Sequence, residues 1–212
     1  MSKWMWTEGL NGLRLAAILA GLASAGMARA EPLSGAALVE ALRQGGYVLL
    51  MRHASSPLAP PVASTAEPDN TRLERQLDDK GRTTARAMGA AIKALRIPIK
   101  EVWSSPTYRA LETVRLAALP QPTTAAELGD GGQSMRAVSR NQVAWIREKV
   151  ARPPRVGTDT VIVTHFPNIL GAIGDRASGL ADGEALVFHP DGRGAPAIVA
   201  RVKIDDWPTL AK

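Results

Sequence analysis

The sequence predicts an α/β fold, a three-layer α/β/α sandwich around a mainly parallel central sheet. Two uncharged runs of strand length, Tyr47-Val-Leu-Leu-Met51 and Thr160-Val-Ile-Val-Thr164, mark strands buried on both faces. Amphipathic helical segments alternate with such strands, the pattern of a parallel sheet covered on both sides. Two of the three histidines, His53 and His165, stand just past the C-terminal ends of those runs. That edge is where open α/β sheets bind ligands.

Taken in order, Leu33 to Arg43 reads as a short helix, and Gly45-Gly46 leads into the first apolar strand. Residues 54–76 carry Pro57, Pro60, Pro61 and Pro68 and form a long loop of the kind usually retained for function. Asp78 caps a helix over residues 79–95, with Ala85, Met88, Ile92 and Leu95 along one face as core residues. Ile99 to Trp103 is a second strand, and Pro106 opens a helix through Leu119 at a position proline tolerates. Thr123 to Leu128 reads as a third strand and Ser134 to Val150 as a third long helix. The strand at 160–164 precedes a helix starting at Pro167, and strands at 185–189 and 197–204 flank the turn Pro190-Asp191-Gly192. Trp103 and Trp145 belong to the core or its edge, and His189 to the surface. No repeat or internal boundary divides the chain.

The 212 residues contain no cysteine, which excludes a disulfide framework, a thiolate nucleophile, a zinc ribbon and an iron–sulfur site. The first thirty residues read as a targeting segment. Lys3 and Arg14 precede an uncharged stretch of 13 residues, Leu15 to Met27, and Ala28-Arg29-Ala30 supplies a small-x-small site before Glu31-Pro32. A spanning helix needs about 20 apolar residues. The expected organisation is therefore a signal peptide, 1–30, and one domain, 31–212, with cleavage near Ala30 and a periplasmic or secreted product. A retained anchor is the alternative. Removing Lys3, Arg14 and Arg29 together with Glu8 lowers the formal charge from +6 to +4 and leaves 182 residues, enough for one core. The remaining Lys and Arg are scattered, aromatics are 4%, and no nucleic-acid motif is present, so a nucleic-acid partner is excluded despite a pI near 10. Membrane contact is expected only in passing, through the signal segment. The oligomeric state is not encoded in any pattern seen.

Arg52 directly precedes His53 and supplies a fixed charge able to bind phosphate or carboxylate bidentately. In Ser104-Ser105-Pro106-Thr107-Tyr108-Arg109, Arg109 falls in the first turn of a helix, where a cation is disfavoured by about 0.3–1 kcal/mol unless it meets an anion. Thr164-His165-Phe166-Pro167-Asn168 places the second histidine ahead of another helix N-terminus. Two histidines, two arginines and exposed helix N–H groups suit a tetrahedral dianion.

Four segments, Tyr47 to Ala54, Leu77-Asp-Asp-Lys-Gly-Arg82, Val102 to Thr113 and Val161 to His165, resemble in order and spacing the histidine phosphatase superfamily, in its phosphoglycerate-mutase-like branch (branch 1). The similarity covers about Gly46 to Gly174. It implies a phosphoglycerate-mutase-like fold and a metal-independent phosphomonoesterase, needing no cofactor and acting on a small phosphorylated substrate. By that resemblance His53 is the nucleophile that becomes a phosphohistidine. Arg52, Arg109 and His165 bind the phosphoryl oxygens, with the Phe166 N–H pointing at the same group. Glu127, in Ala125-Ala126-Glu127-Leu128-Gly129-Asp130, stands where the branch places its proton donor, with Asp130 behind it.

The chain departs from the family pattern at Ala54, where Gly is usual, and at Phe166-Pro167, which replaces a glycine-rich stretch. Ala54 is tolerated if its φ is negative. Asn70, Arg72 and Arg75 either line the substrate entrance or form a salt-bridged surface with Glu74 and Asp78. The alternative function is a phosphate- or phosphoester-binding module of the same fold with weakened catalysis.

Overall fold

The computed structural model describes Met1 and residues 32–130, 137–192 and 194–210, so the targeting segment expected over residues 1–30 lies outside the described residues except for Met1. Helix α1 spans Gly35–Gln44, α2 Asp79–Ala94, α3 Tyr108–Leu116, α4 Arg140–Ala151 and α5 Phe166–Ile173. The strands are β1 Val48–Arg52, β2 Ile99–Ser104, β3 Thr123–Thr124, β4 Asp159–Thr164, β5 Ala185–His189 and β6 Ala197–Val202. They form one sheet in the order β3-β2-β4-β1-β5-β6. The first four run parallel, and β5 and β6 close the sheet antiparallel, as the mainly parallel expectation requires.

Successive residues of β1 point to opposite faces, and each face meets its own helices. Leu49 and Met51 join Leu38, Leu42, Met88, Ile92, Ala110 and Val114, so α1, α2 and α3 cover one side. Val48 and Leu50 join Ile146, Val150, Ile169 and Ile173, so α4 and α5 cover the other. This double burial is why the first and fourth strands carry no polar face. Trp103 and Trp145 pack at the edge of the second cluster, edge to face at 5.4 Å. His189 is exposed and stacks on Tyr47 at 4.7 Å. Among the described residues no helix is long and apolar enough to cross a membrane.

Four boundaries differ from those the sequence predicts. The helix expected from Pro106 begins at Tyr108, because Thr107 is extended and donates its N–H to Ser105 Oγ at 3.2 Å. It ends at Leu116, and Ala118 then takes φ +48 in the turn that follows. The strand expected over 123–128 is only Thr123–Thr124; Ala126–Leu128 coils into a 3-10 turn that buries Leu128. The helix expected from Ser134 starts at Arg140. Ser139 and Gln142 form a reciprocal capping box there, while residues 134–136 lie outside the described residues.

Two glycines make close approaches possible. At Gly45, with φ +77, a Cβ would stand 2.4 Å from the Thr158 N atom beside the start of β4. At Gly81, a Cβ would stand 2.1 Å from the Ser55 carbonyl oxygen. The start of α2 therefore rests directly on the loop leaving β1. Asp78 caps α2 through Gly81 N at 2.7 Å and accepts from Ser55 Oγ at 2.7 Å. One aspartate thus fixes both the helix start and the loop that follows the first histidine.

Candidate active site

Strands β1 and β4 are parallel neighbours with Arg52 opposite Thr164. The next residue on each is a histidine, and the His53 N–H donates to the Thr164 carbonyl at 3.0 Å. The chain leaves β1 toward β2 on one side and leaves β4 toward β5 on the other, so the crevice between their C-terminal ends is a topological switch point. The imidazoles meet edge to face with centroids 5.2 Å apart. On the far side of β4, the Ser105 N–H donates to the Val163 carbonyl at 2.9 Å, which brings the first turn of α3 and Arg109 to the same edge.

Both rings are buried. His53 Nδ1 lies 2.7 Å from the Ala54 carbonyl oxygen, which can only accept, so Nδ1 carries the proton and Nε2 keeps its lone pair. Arg109 Nε donates to that Nε2 at 3.2 Å. Arg109 Nη2 stands 3.1 Å from His165 Nδ1, which must accept; His165 Nε2 then donates to Ser105 Oγ at 2.9 Å, with Thr107 Oγ1 at 3.4 Å. Burial pushes the His53 pKa well below 6.5, helped by His165 and by the charges of Arg109 and Arg52. Burial does the same to His165, helped by Arg109, Arg75 and Arg52. Both rings are neutral at neutral pH.

Arg109 is fully buried, and its Nη2 also meets Asp130 in a short ion pair. Thr113 Oγ1 donates to the Arg109 carbonyl at 2.8 Å and accepts from Ala54 N at 3.1 Å, tying α3 to the loop after His53. Ala54 is buried and is not among the residues with positive φ, so the methyl group is accommodated. Arg52 pairs with Asp182 at 2.6 Å, donates to the Leu180 carbonyl at 3.3 Å and lies 5.8 Å from the Phe166 ring. Two buried guanidinium nitrogens, Arg52 Nε and Arg109 Nη1, have no acceptor among the described residues. Buried donors without acceptors are rare in folded proteins, and on two guanidinium groups they are suited to the oxygens of an anion.

The structure thus joins His53, Arg109 and His165 by direct hydrogen bonds and sets Arg52 beside Phe166. Glu127 is half-buried on the 3-10 turn, and its carboxylate makes no hydrogen bond or ion pair among the described residues. Asp130 is the carboxylate seated in the cluster, on Arg109 and 3.5 Å from His165 Nδ1. Among the described residues no group of three or more acidic or histidine side chains is placed to hold a metal ion.

Among the described residues no observed side-chain contact joins Arg72 or Arg75 to Glu74 or Asp78 as a salt-bridged surface would. Asn70 clamps the Glu74 backbone with two hydrogen bonds, at 2.7 and 2.9 Å, and the Glu74 carboxylate accepts from Tyr108 N at the start of α3. Arg75 is buried and donates to the carbonyls of Pro57 and Ser56 at 2.6 and 3.0 Å. Its charge is among those that lower the His165 pKa. Ser105 is a further residue of the site, its Oγ meeting His165 Nε2. Its signal was its place, directly after a strand paired to the one carrying His165.

Residues 48–129 match the model of the histidine phosphatase superfamily (branch 1). Among solved structures, the fold is shared with the protein histidine phosphatase SixA complexed with tungstate: 20% identity, 76% of this chain, 98% of that chain, TM-score 0.52. It is also shared with a putative SixA from Nakamurella multipartitia (20%, 74% and 95%, TM-score 0.53) and one from Agrobacterium tumefaciens (16%, 74% and 97%, TM-score 0.51). The curated proteins contain no match. The resemblance to the superfamily holds in the fold as well as in the sequence, and His165, outside the matched stretch, reaches the site through the pairing of β4 with β1.

Proposed function

We propose that this chain is an exported, metal-independent phosphomonoesterase working through a phosphohistidine on His53. The observation that supports it best is the pairing of a neutral imidazole, its Nε2 lone pair free of a proton, with Arg109 Nη1 and Arg52 Nε, donors that have no acceptor among the described residues. Phosphoryl transfer asks for a positioned nucleophile and for positive charge on the spreading oxygens, and these residues supply both.

In the proposed reaction the phosphoryl group displaces the Arg109 Nε contact and lies against Arg52, Arg109 and His165. The His53 Nε2 lone pair forms the N–P bond as the P–O ester bond breaks and its electron pair leaves with the alcohol oxygen. The phosphorylated ring is cationic, and its Nδ1–H stays bonded to the Ala54 carbonyl, which stabilises that charge. Water then attacks phosphorus, the N–P bond breaks, and inorganic phosphate departs. For an alkyl ester the leaving oxygen needs a proton, for which Glu127 is the candidate; a phenolate leaves without one, so an aryl ester tests the nucleophile separately from the acid.

His53→Ala should abolish turnover of an aryl phosphate while the variant melts like the parent; retained turnover contradicts the mechanism. Full activity in excess chelator is expected, and loss that added metal restores would contradict metal independence. The basic start, the uncharged stretch and Ala28-Arg29-Ala30 support export. N-terminal sequencing of the protein recovered outside the cytoplasm should read from Glu31.

A further inference from the structure

We infer that Asp130 is a resident ligand of the anion pocket, a carboxylate that an incoming phosphoryl group must displace, and that it thereby sets the affinity of the site for phosphate. The inference rests on the anion-binding part of the proposed function but not on turnover. Asp130 is buried, and a single oxygen, Oδ2, meets both Arg109 Nη2 and, at 3.5 Å, His165 Nδ1. Arg109 Nη2 is one of the groups that would hold a phosphoryl oxygen, and His165 lines the same spot. An anionic carboxylate oxygen on a guanidinium fork has the chemistry of the phosphoryl oxygen it stands in for.

Arg109 divides its donors unequally. Nε serves His53, Nη2 serves Asp130 and His165, and Nη1 has no acceptor among the described residues. A phosphoryl group entering on Nη1 and on Arg52 Nε therefore meets a carboxylate on the neighbouring nitrogen. Two anions a few ångströms apart in a buried pocket repel strongly, so the tetrahedral group and the carboxylate compete for one fork. A dianion such as the product phosphate bears most of that repulsion. Asp130 consequently weakens product binding and favours release.

Inorganic phosphate and tungstate, titrated calorimetrically into the full-length protein and into Asp130→Asn, provide the test. Asn keeps the shape and removes the charge. At least tenfold tighter binding of both ions by the variant is expected. If Asp130 only orients Arg109, the variant binds more weakly; equal or weaker binding overturns the inference. A readout in the unaltered protein covers the case in which the variant fails to fold. The Asp130 carboxyl carbon signal should move on saturation with tungstate, and an unmoved signal overturns the displacement. Neither measurement depends on turnover, so failure of the His53 mechanism and failure of this inference give different results.

Discussion

Arg109 donates its Nε–H to Nε2 of His53 at 3.2 Å, so the proposed nucleophile's lone pair is occupied by the residue proposed to bind its target. The contact fixes the ring and guards the lone pair until an anion draws the guanidinium to itself. A lysine cannot reproduce it, since its point charge lacks the fork that meets His53, His165 and Asp130 together. Arg109→Lys should lower kcat/KM for an aryl phosphate by roughly two orders of magnitude, about 3 kcal/mol of transition-state stabilisation. Steady-state kinetics check this, and a loss below threefold would remove Arg109 from the phosphoryl site.

Burial and neighbouring cations depress the pKa of both His53 and His165 below 6.5. The folded rings therefore bind fewer protons than the unfolded chain. Their contribution to stability is complete above pH 6.5 and declines as pH falls from there toward the folded values. Ring nitrogen shifts followed by NMR should show both imidazoles neutral at pH 6.5, with His53 carrying its proton on Nδ1. A His53 ring half-protonated at or above pH 6.5 would contradict the assigned geometry.

At the opposite edge of the sheet, Asp159 is buried with Oδ1 accepting from Tyr47 N at 2.8 Å and Oδ2 without a partner among the described residues. Burial raises its pKa from 3.8 to about 7. The folded state holds this proton after the unfolded chain has lost it, so stability falls as pH rises from about 4 to about 7 and is level above. Asp159→Asn removes that dependence. The variant should gain about 1–2 kcal/mol over the parent at pH 8 and much less at pH 4.5, read from urea unfolding. An equal difference at both values would refute the assignment.

The strands bearing the histidines were legible in the sequence because burial on both faces leaves a local mark, a run without charged residues. His53, His165, Arg52 and Arg109 were legible because each sits at a fixed offset from a strand end, and parallel pairing converts those offsets into proximity. Asp130 was legible only as a carboxylate behind Glu127 and Arg75 only as a candidate entrance residue; the seat of the first on Arg109 and the burial of the second depend on a 3-10 turn and a clamped loop, neither of which has a period. Thr123 to Leu128 is too short to show a period that separates a strand from a turn, and Leu128 is buried by coiling. The Asn70 clamp on Glu74 joins residues four apart through side-chain amide bonds, a pattern that polar loop sequence does not distinguish from solvated surface.

The central claim, covalent catalysis by His53, is tested most directly by trapping the intermediate. Rapid quenching of a single turnover with an isotopically labelled aryl phosphate, followed by peptide mapping under basic conditions, should place the phosphoryl group on Nε2 of His53. The label should form and decay at rates compatible with turnover. Turnover without any phosphoenzyme, or a label on another side chain, would contradict the account.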